Sequence, residues 1–236
     1  MSSKQEVTWD WEGQYLNVKV LYSKAGVATQ ILLFDIETQQ VFLIDAGDGI
    51  LRDLVSLPEI FYRNIQVILC THGHFDHIGG LFSLLGFLRM INRTNKLLLM
   101  FPQGVVEIEG ILRTFQESYI GSIPYEIELL GKKEISMKGV NIRAFPVQHR
   151  GSIIGDKELP IIPAVGYIIQ KQSEKVLYTG DTGYFDSLKE TIKDVDFVLI
   201  EGTHKDKITP YHLSIPEAEE LGKLAKNYKI IHQHNT

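Results

Sequence analysis

Four side chains able to bind a metal ion fall within six residues of the sequence Thr71-His72-Gly73-His74-Phe75-Asp76-His77. Imidazoles and a carboxylate are donors suited to Zn²⁺ or a similar divalent ion. A catalytic zinc takes about three protein ligands and keeps one position open. Four donors on one short loop exceed that, so the spacing points to two adjacent ions. Two ions roughly 3.5–4 Å apart can bridge a water and lower its pKa to near neutrality. The chemistry expected of such a loop is hydrolysis by a metal-bridging hydroxide. None of the 8 histidines precedes position 72, and the others are His149, His204, His212, His232 and His234.

For these side chains to converge, rigid elements must hold the loop. Residues 65–70 are an apolar run of strand length, and residues 78–91, opened by Gly79-Gly80, predict an apolar helix. The histidine cluster thus sits on a strand-to-helix loop. Upstream, residues 15–22 alternate with period two, 30–34 and 41–45 read as two more strands, and 50–57 predict a helix. Downstream, a strand over 96–101 stops at Pro102, and 103–115 predict a helix. Strands follow over 125–129 and 140–145, then a loop over 151–163, then strands over 165–169, 175–178 and 197–200. A helix over 216–226 has Pro216 in its first turn and Glu217, Glu219 and Glu220 near its positive end. A last strand starts at 229. His204 reads as part of a solvated loop.

No linker or composition break appears, so one domain over residues 1–236 is expected. An internal echo joins Val41-Phe-Leu-Ile-Asp45-Ala-Gly to Lys175-Val-Leu-Tyr-Thr-Gly-Asp181. Each is a strand leading into Asp and Gly before a helical segment, which suggests two related halves.

Composition narrows the function. Of 236 residues, 44% are apolar and 22% charged, which excludes disordered and fibrous classes. No apolar run reaches the roughly 18 residues that span a bilayer. Residues 1–6 lack the apolar core of a secretory signal. A cytoplasmic protein without membrane contact is expected. The lone Cys70 excludes a disulfide scaffold. A net charge of −5 disfavours non-specific binding to nucleic acid.

The pattern His-x-His-x-Asp-His after a strand resembles the signature of the metallo-β-lactamase superfamily. The superfamily's other motifs have counterparts in order: Asp45 in Leu-Ile-Asp-Ala-Gly, His149 in Pro-Val-Gln-His, Asp181 in Tyr-Thr-Gly-Asp-Thr-Gly, and a late His. The resemblance implies an α/β fold, a four-layer αββα sandwich of two mixed β-sheets flanked by helices. It implies two divalent ions per chain, Zn²⁺ first, with Mn²⁺ or Fe²⁺ as alternatives. One ion would be held by His72, His74 and His149, and the other by Asp76, His77 and the late His, with Asp181 bridging. The late ligand is expected to be His234, with His232 as the alternative. Asp45 would orient the metal loop without binding metal. The superfamily's di-iron enzymes place Glu where His74 stands, so oxidoreductase chemistry is disfavoured.

Within the superfamily the chain looks most like ribonuclease Z-like proteins. Asp45-Ala-Gly-Asp-Gly-Ile-Leu-Arg52, Glu201-Gly-Thr203 and His212-Leu-Ser214 resemble their motifs. The likeness makes His212 a hydrogen-bond donor or acid toward substrate, held by Glu201, and lets Asp76 accept the proton of the attacking water. The long basic arm with which those proteins grip transfer RNA has no counterpart between Leu112 and Val140. The expected activity is therefore a phosphodiesterase acting on small-molecule or nucleotide-like substrates, with tRNA disfavoured. An ester, thioester or lactone hydrolase is the alternative. Trp9, Trp11 and the apolar helix over 81–90 are candidate surfaces for a homodimer.

Overall fold

A computed structural model describes residues 7–130, 133–151, 153–154, 157–158 and 160–234. The chain divides into two compact units, the first over residues 1–22, 27–101 and 105–131, the second over 23–26, 102–104 and 132–236.

The first unit carries β1 (Trp11–Glu12), β2 (Leu16–Lys24), β3 (Ala28–Asp35), β4 (Val41–Ile44), α1 (Ile50–Val55), α2 (Ile60–Arg63), β5 (Ile65–Leu69), α3 (Phe75–Ile78), α4 (Leu81–Met90), β6 (Leu97–Met100), α5 (Val106–Ser118) and β7 (Ile127–Leu130). Among the described residues these strands form one mixed sheet in the order β1-β2-β3-β4-β5-β6-β7. β3 and β4 run antiparallel, and β4, β5, β6 and β7 run parallel. Every residue of β4 is buried, as a parallel strand covered on both faces requires, and this makes it an unbroken apolar run. α4 buries Leu81, Leu84, Leu85 and Leu88, the spacing of one helical face. α5 buries Ile108, Leu112 and Phe115 in the same core.

The helix predicted over 78–91 starts only at Leu81, and residue 78 belongs to the separate turn α3 before it. The Gly80 amide donates to the Ala46 carbonyl at 2.8 Å, which pins the chain to the end of β4. A side chain on Gly80 would meet the Gly47 carbonyl oxygen and Ile50 Cγ2 at 2.5 Å, so only glycine lets α4 start there. The helix predicted from 103 starts at 106, because Gly104 is left-handed at φ +87°. Trp9 stacks on Phe34 at 5.8 Å, and α4 turns its leucines into the unit's own core.

The second unit carries β8 (Glu134–Met137), β9 (Val140–Pro146), β10 (Ile153–Ile154), β11 (Lys157–Glu158), β12 (Val165–Lys171), β13 (Glu174–Tyr178), α6 (Asp186–Ile192), β14 (Phe197–Glu201), α7 (Ile215–Gly222) and β15 (Tyr228–Ile231). Its main sheet has the order β15-β14-β13-β12-β9-β8, while β10 and β11 pair separately inside the predicted 151–163 loop. β13, β14 and β15 are parallel and β12 is antiparallel to β13. α7 starts with a capping box between Ser214 and Glu217. It ends at Gly222, short of the predicted 226, because the Lys226 amide donates to the Val195 carbonyl at 2.8 Å and draws the chain away.

The sequence echo has a topological counterpart. β3-β4-β5-β6 and β12-β13-β14-β15 share one antiparallel pairing followed by two parallel ones. In each unit most of the polar candidates follow the carboxyl ends of the parallel strands, where open α/β sheets bind ligands, while His149 follows the antiparallel β9. No helix among the described residues is long and apolar enough to cross a membrane.

Candidate metal centre

In the first unit the site grows from the ends of β4 and β5. Their register pairs Ile44 with Leu69, so Asp45 and Thr71 emerge close together. Asp45 is left-handed at φ 57°, a costly conformation for a residue with a Cβ. Its carboxylate accepts the Thr71 amide at 2.8 Å and the Thr71 hydroxyl at 2.9 Å. The Thr71 hydroxyl, having given its proton, accepts from His72 Nδ1 at 3.0 Å. Asp45 Oδ2 also lies 2.8 Å from His77 Nδ1. Both rings are thus fixed through Nδ1, which leaves Nε2 as the nitrogen able to bind a metal. His72 packs edge-on to His74 at 4.6 Å and beside His77 at 4.1 Å between ring centroids. Ligand atoms of His72 and His74 lie within 4.8 Å of each other, and so do those of Asp76 and His77. His72, Asp76 and His77 are buried, and His74 is half-buried.

Gly47 lets this loop close. A Cβ there would strike the Asp76 carbonyl oxygen and come within 2.7 Å of the Thr29 amide nitrogen.

In the second unit the donors follow β9, β13, β14 and β15. His149 gives its Nδ1 proton to the Tyr211 carbonyl at 3.0 Å, an acceptor only, so its Nε2 is the nitrogen left to bind metal. That Nε2 lies 3.9 Å from Asp181 Oδ2, and His232 Nε2 lies 3.2 Å from the same oxygen. Two ligands bound at about 2.0–2.2 Å in a tetrahedron sit about 3.3–3.6 Å apart. The two separations bracket that edge, and the donor set is one that divalent ions take. His232 is left-handed at φ 56° and buried, with its amide donating to Ser23 Oγ at 3.0 Å. His234, two residues on, is exposed.

His212 and Glu201 form a pair beside these donors. His212 Nδ1 lies 2.9 Å from Glu201 Oε1, and its ring stands 4.9 Å from that of His149. Glu201 is fully buried and accepts the Thr182 amide at 2.8 Å, the Thr203 amide at 3.1 Å and the Thr203 hydroxyl at 2.7 Å. Asp181, Glu201 and His212 bring ligand atoms within 4.8 Å of one another. His204 is half-buried where a solvated loop was predicted, because its amide and carbonyl bond Leu213 and Ile215. Burial, followed by the nearby His212, pushes its imidazole below the ordinary histidine range.

The first unit therefore groups Asp45, His72, His74, Asp76 and His77, and the second groups His149, Asp181, Glu201, His212 and His232. Thr71, Thr182 and the Tyr211 carbonyl hold these groups and were not singled out from sequence. The signal for Thr71 was its place directly before the cluster. The other two act through backbone atoms, which leave no mark on residue type.

A family profile described as Beta-lactamase superfamily domain matches residues 40–234. The ribonuclease Z of Metallosphaera sedula is 23% identical over 224 residues, covering 80% of this chain and 75% of that protein. The metallo-β-lactamase fold protein YhfI from Bacillus subtilis superposes with a TM-score of 0.74 at 16% identity, over 94% of this chain and 87% of that one. The short form of human tRNase Z superposes with a TM-score of 0.73 at 20% identity, over 92% of this chain and 93% of that one. At these identities the two structural likenesses show the fold, the α/β arrangement of two mixed sheets flanked by helices.

Proposed function

The chain belongs to the β-lactamase superfamily and is a metal-dependent hydrolase, and on that premise we propose that it cleaves phosphodiesters at a binuclear metal centre. The observation that carries the reading is Asp181 Oδ2 set between His149 Nε2 and His232 Nε2. A carboxylate between two imidazoles is the arrangement of a ligand shared by two ions. We assign His72, His74 and His149 to one ion, Asp76, His77 and His232 to the other, and Asp181 to both. We prefer His232 to the expected His234, because it is buried beside Asp181 while His234 is exposed. The family profile runs across both units, which favours their acting as one domain. Zn²⁺ is the ion this mixture of nitrogen and oxygen donors suits first, with Mn²⁺ and Fe²⁺ behind it.

Bound divalent ions supply Lewis acidity and a water activated near neutral pH. The chain's own groups do the rest. Asp45 fixes the rings of His77 directly and of His72 through Thr71. Asp76 would accept the proton of the attacking water. Glu201 holds His212 through Nδ1, so that a protonated His212 can deliver a proton from Nε2 to the leaving oxygen. The likeness to the ribonuclease Z of Metallosphaera sedula favours a phosphodiester over a carboxylic ester, thioester or lactone. The substrate we propose is small or nucleotide-like. The described chain between β6 and β9 is taken up by α5, β7 and β8, which leaves no long basic arm to grip a tRNA.

The test is hydrolysis of bis(p-nitrophenyl) phosphate by Zn²⁺- or Mn²⁺-loaded protein, with His149→Ala beside it. Turnover that the variant loses supports the reading. Two bound metals without turnover would move it to acyl substrates.

A further inference from the structure

We propose that Phe75 is an aromatic platform on which the nucleobase of a nucleoside-bearing phosphodiester stacks, a role that rests on the phosphodiesterase reading above. Of the eleven phenylalanines, Phe75 is the one that is exposed, at 66%. The others serve packing, as Phe61 does against Trp9 and Phe115 against Tyr119. A bare ring in water is unfavourable for folding, so the core does not explain its presence.

The local backbone forces the exposure. α3 is a single turn in which Asp76, His77 and Ile78 are all buried, so Phe75 is the residue of that turn that faces outward. It stands between His74 and Asp76, two of the ligands assigned above. The loop lies against the start of α5, because a Cβ on Gly73 would come within 2.8 Å of Val105 Cγ1 and 2.5 Å of Glu107 Oε2. The next residue of that turn, Val106, is itself 68% exposed. The rim is therefore apolar with an acidic flank. An anionic group is repelled from Glu107, which leaves the neutral ring of a substrate as the part that fits here. Stacking on an aromatic side chain accepts any base, since each has a π-face.

The test compares thymidine 5′-(p-nitrophenyl phosphate) with methyl p-nitrophenyl phosphate, which share the leaving group, while only the first carries a nucleoside. Phe75→Ala is expected to lower the ratio of the two kcat/KM values about tenfold, and Phe75→Trp to restore it. An unchanged ratio would overturn the inference while leaving the phosphodiesterase reading intact. If the wild type cleaves neither ester, that reading fails instead. Titration of the metal-loaded protein with thymidine 5′-monophosphate then decides the inference. A Kd weakened about tenfold by Phe75→Ala upholds it, and equal or absent binding overturns it.

Discussion

His77 Nδ1 lies 2.8 Å from Asp45 Oδ2, with both side chains fully buried. The same carboxylate takes the amide and hydroxyl of Thr71, so one side chain at the end of β4 fixes the loop after β5. An amide at this position cannot accept all three donors. Asp45→Asn is expected to weaken metal binding about 10–100-fold. It should also destabilise the protein by about 1–3 kcal/mol, since a buried donor loses its acceptor. Chelator competition and urea unfolding check the two effects separately. Unchanged metal affinity with lowered stability would reduce Asp45 to a packing role.

The late ligand is decided by metal content. His232→Ala should drop the bound metal from about two ions per chain to about one. His234→Ala should leave it at two, because that side chain is exposed. Elemental analysis of the purified variants reads this directly, and the reverse pattern would assign the ligand to His234.

Glu201 and His212 are testable through the leaving group. A general acid contributes about 10²–10⁴-fold when the leaving oxygen needs a proton. Glu201→Gln keeps the shape of the side chain but removes the charge that steadies a protonated His212. The loss in kcat should approach 10²-fold for an alkyl leaving group and shrink for p-nitrophenolate, which departs without a proton. Equal losses for both would mean that Glu201 acts by holding Thr182 and Thr203 in place.

Much of this was legible from residue types. The buried parallel strands appeared as apolar runs because both of their faces are covered. The candidate metal loop appeared because so many donors crowd residues 72–77. The break between α3 and α4 was hidden because a tertiary bond from Gly80 to Ala46 makes it, not local propensity. β8 was missed because Glu134-Ile-Ser-Met137 is a short edge strand, exposed on alternate residues. The choice between His232 and His234 depends on one left-handed residue at the end of β15, and a strand pattern carries no sign of such a turn.

Cys70 offers a check on the packing under the site. It is buried at the end of β5, and burial, reinforced by the Asp45 carboxylate, pushes its thiol well above the ordinary range. The thiolate is the reactive form, so iodoacetamide should label Cys70 only as fast as the protein unfolds. Rapid labelling of the native protein would show that the strand end opens.

Asp196 links the strand that carries Glu201 to its neighbours. Its carboxylate accepts the Lys175 amide at 2.8 Å and the Lys226 ammonium at 2.7 Å. Burial raises its pKa, but the bonds from Lys226 and the Lys175 amide outweigh that and hold it below 3.8. A carboxylate depressed in the folded state stabilises the fold above its unfolded pKa. That contribution is lost as pH falls through the folded value. Asp196→Asn should therefore cost about 1 kcal/mol at pH 7, a modest figure because solvent screens the exposed Lys226. The gap between wild type and variant should close between about pH 5 and pH 2. Urea unfolding across that range measures it. A gap that stays constant with pH would assign the effect to the shape of the side chain and not to its charge.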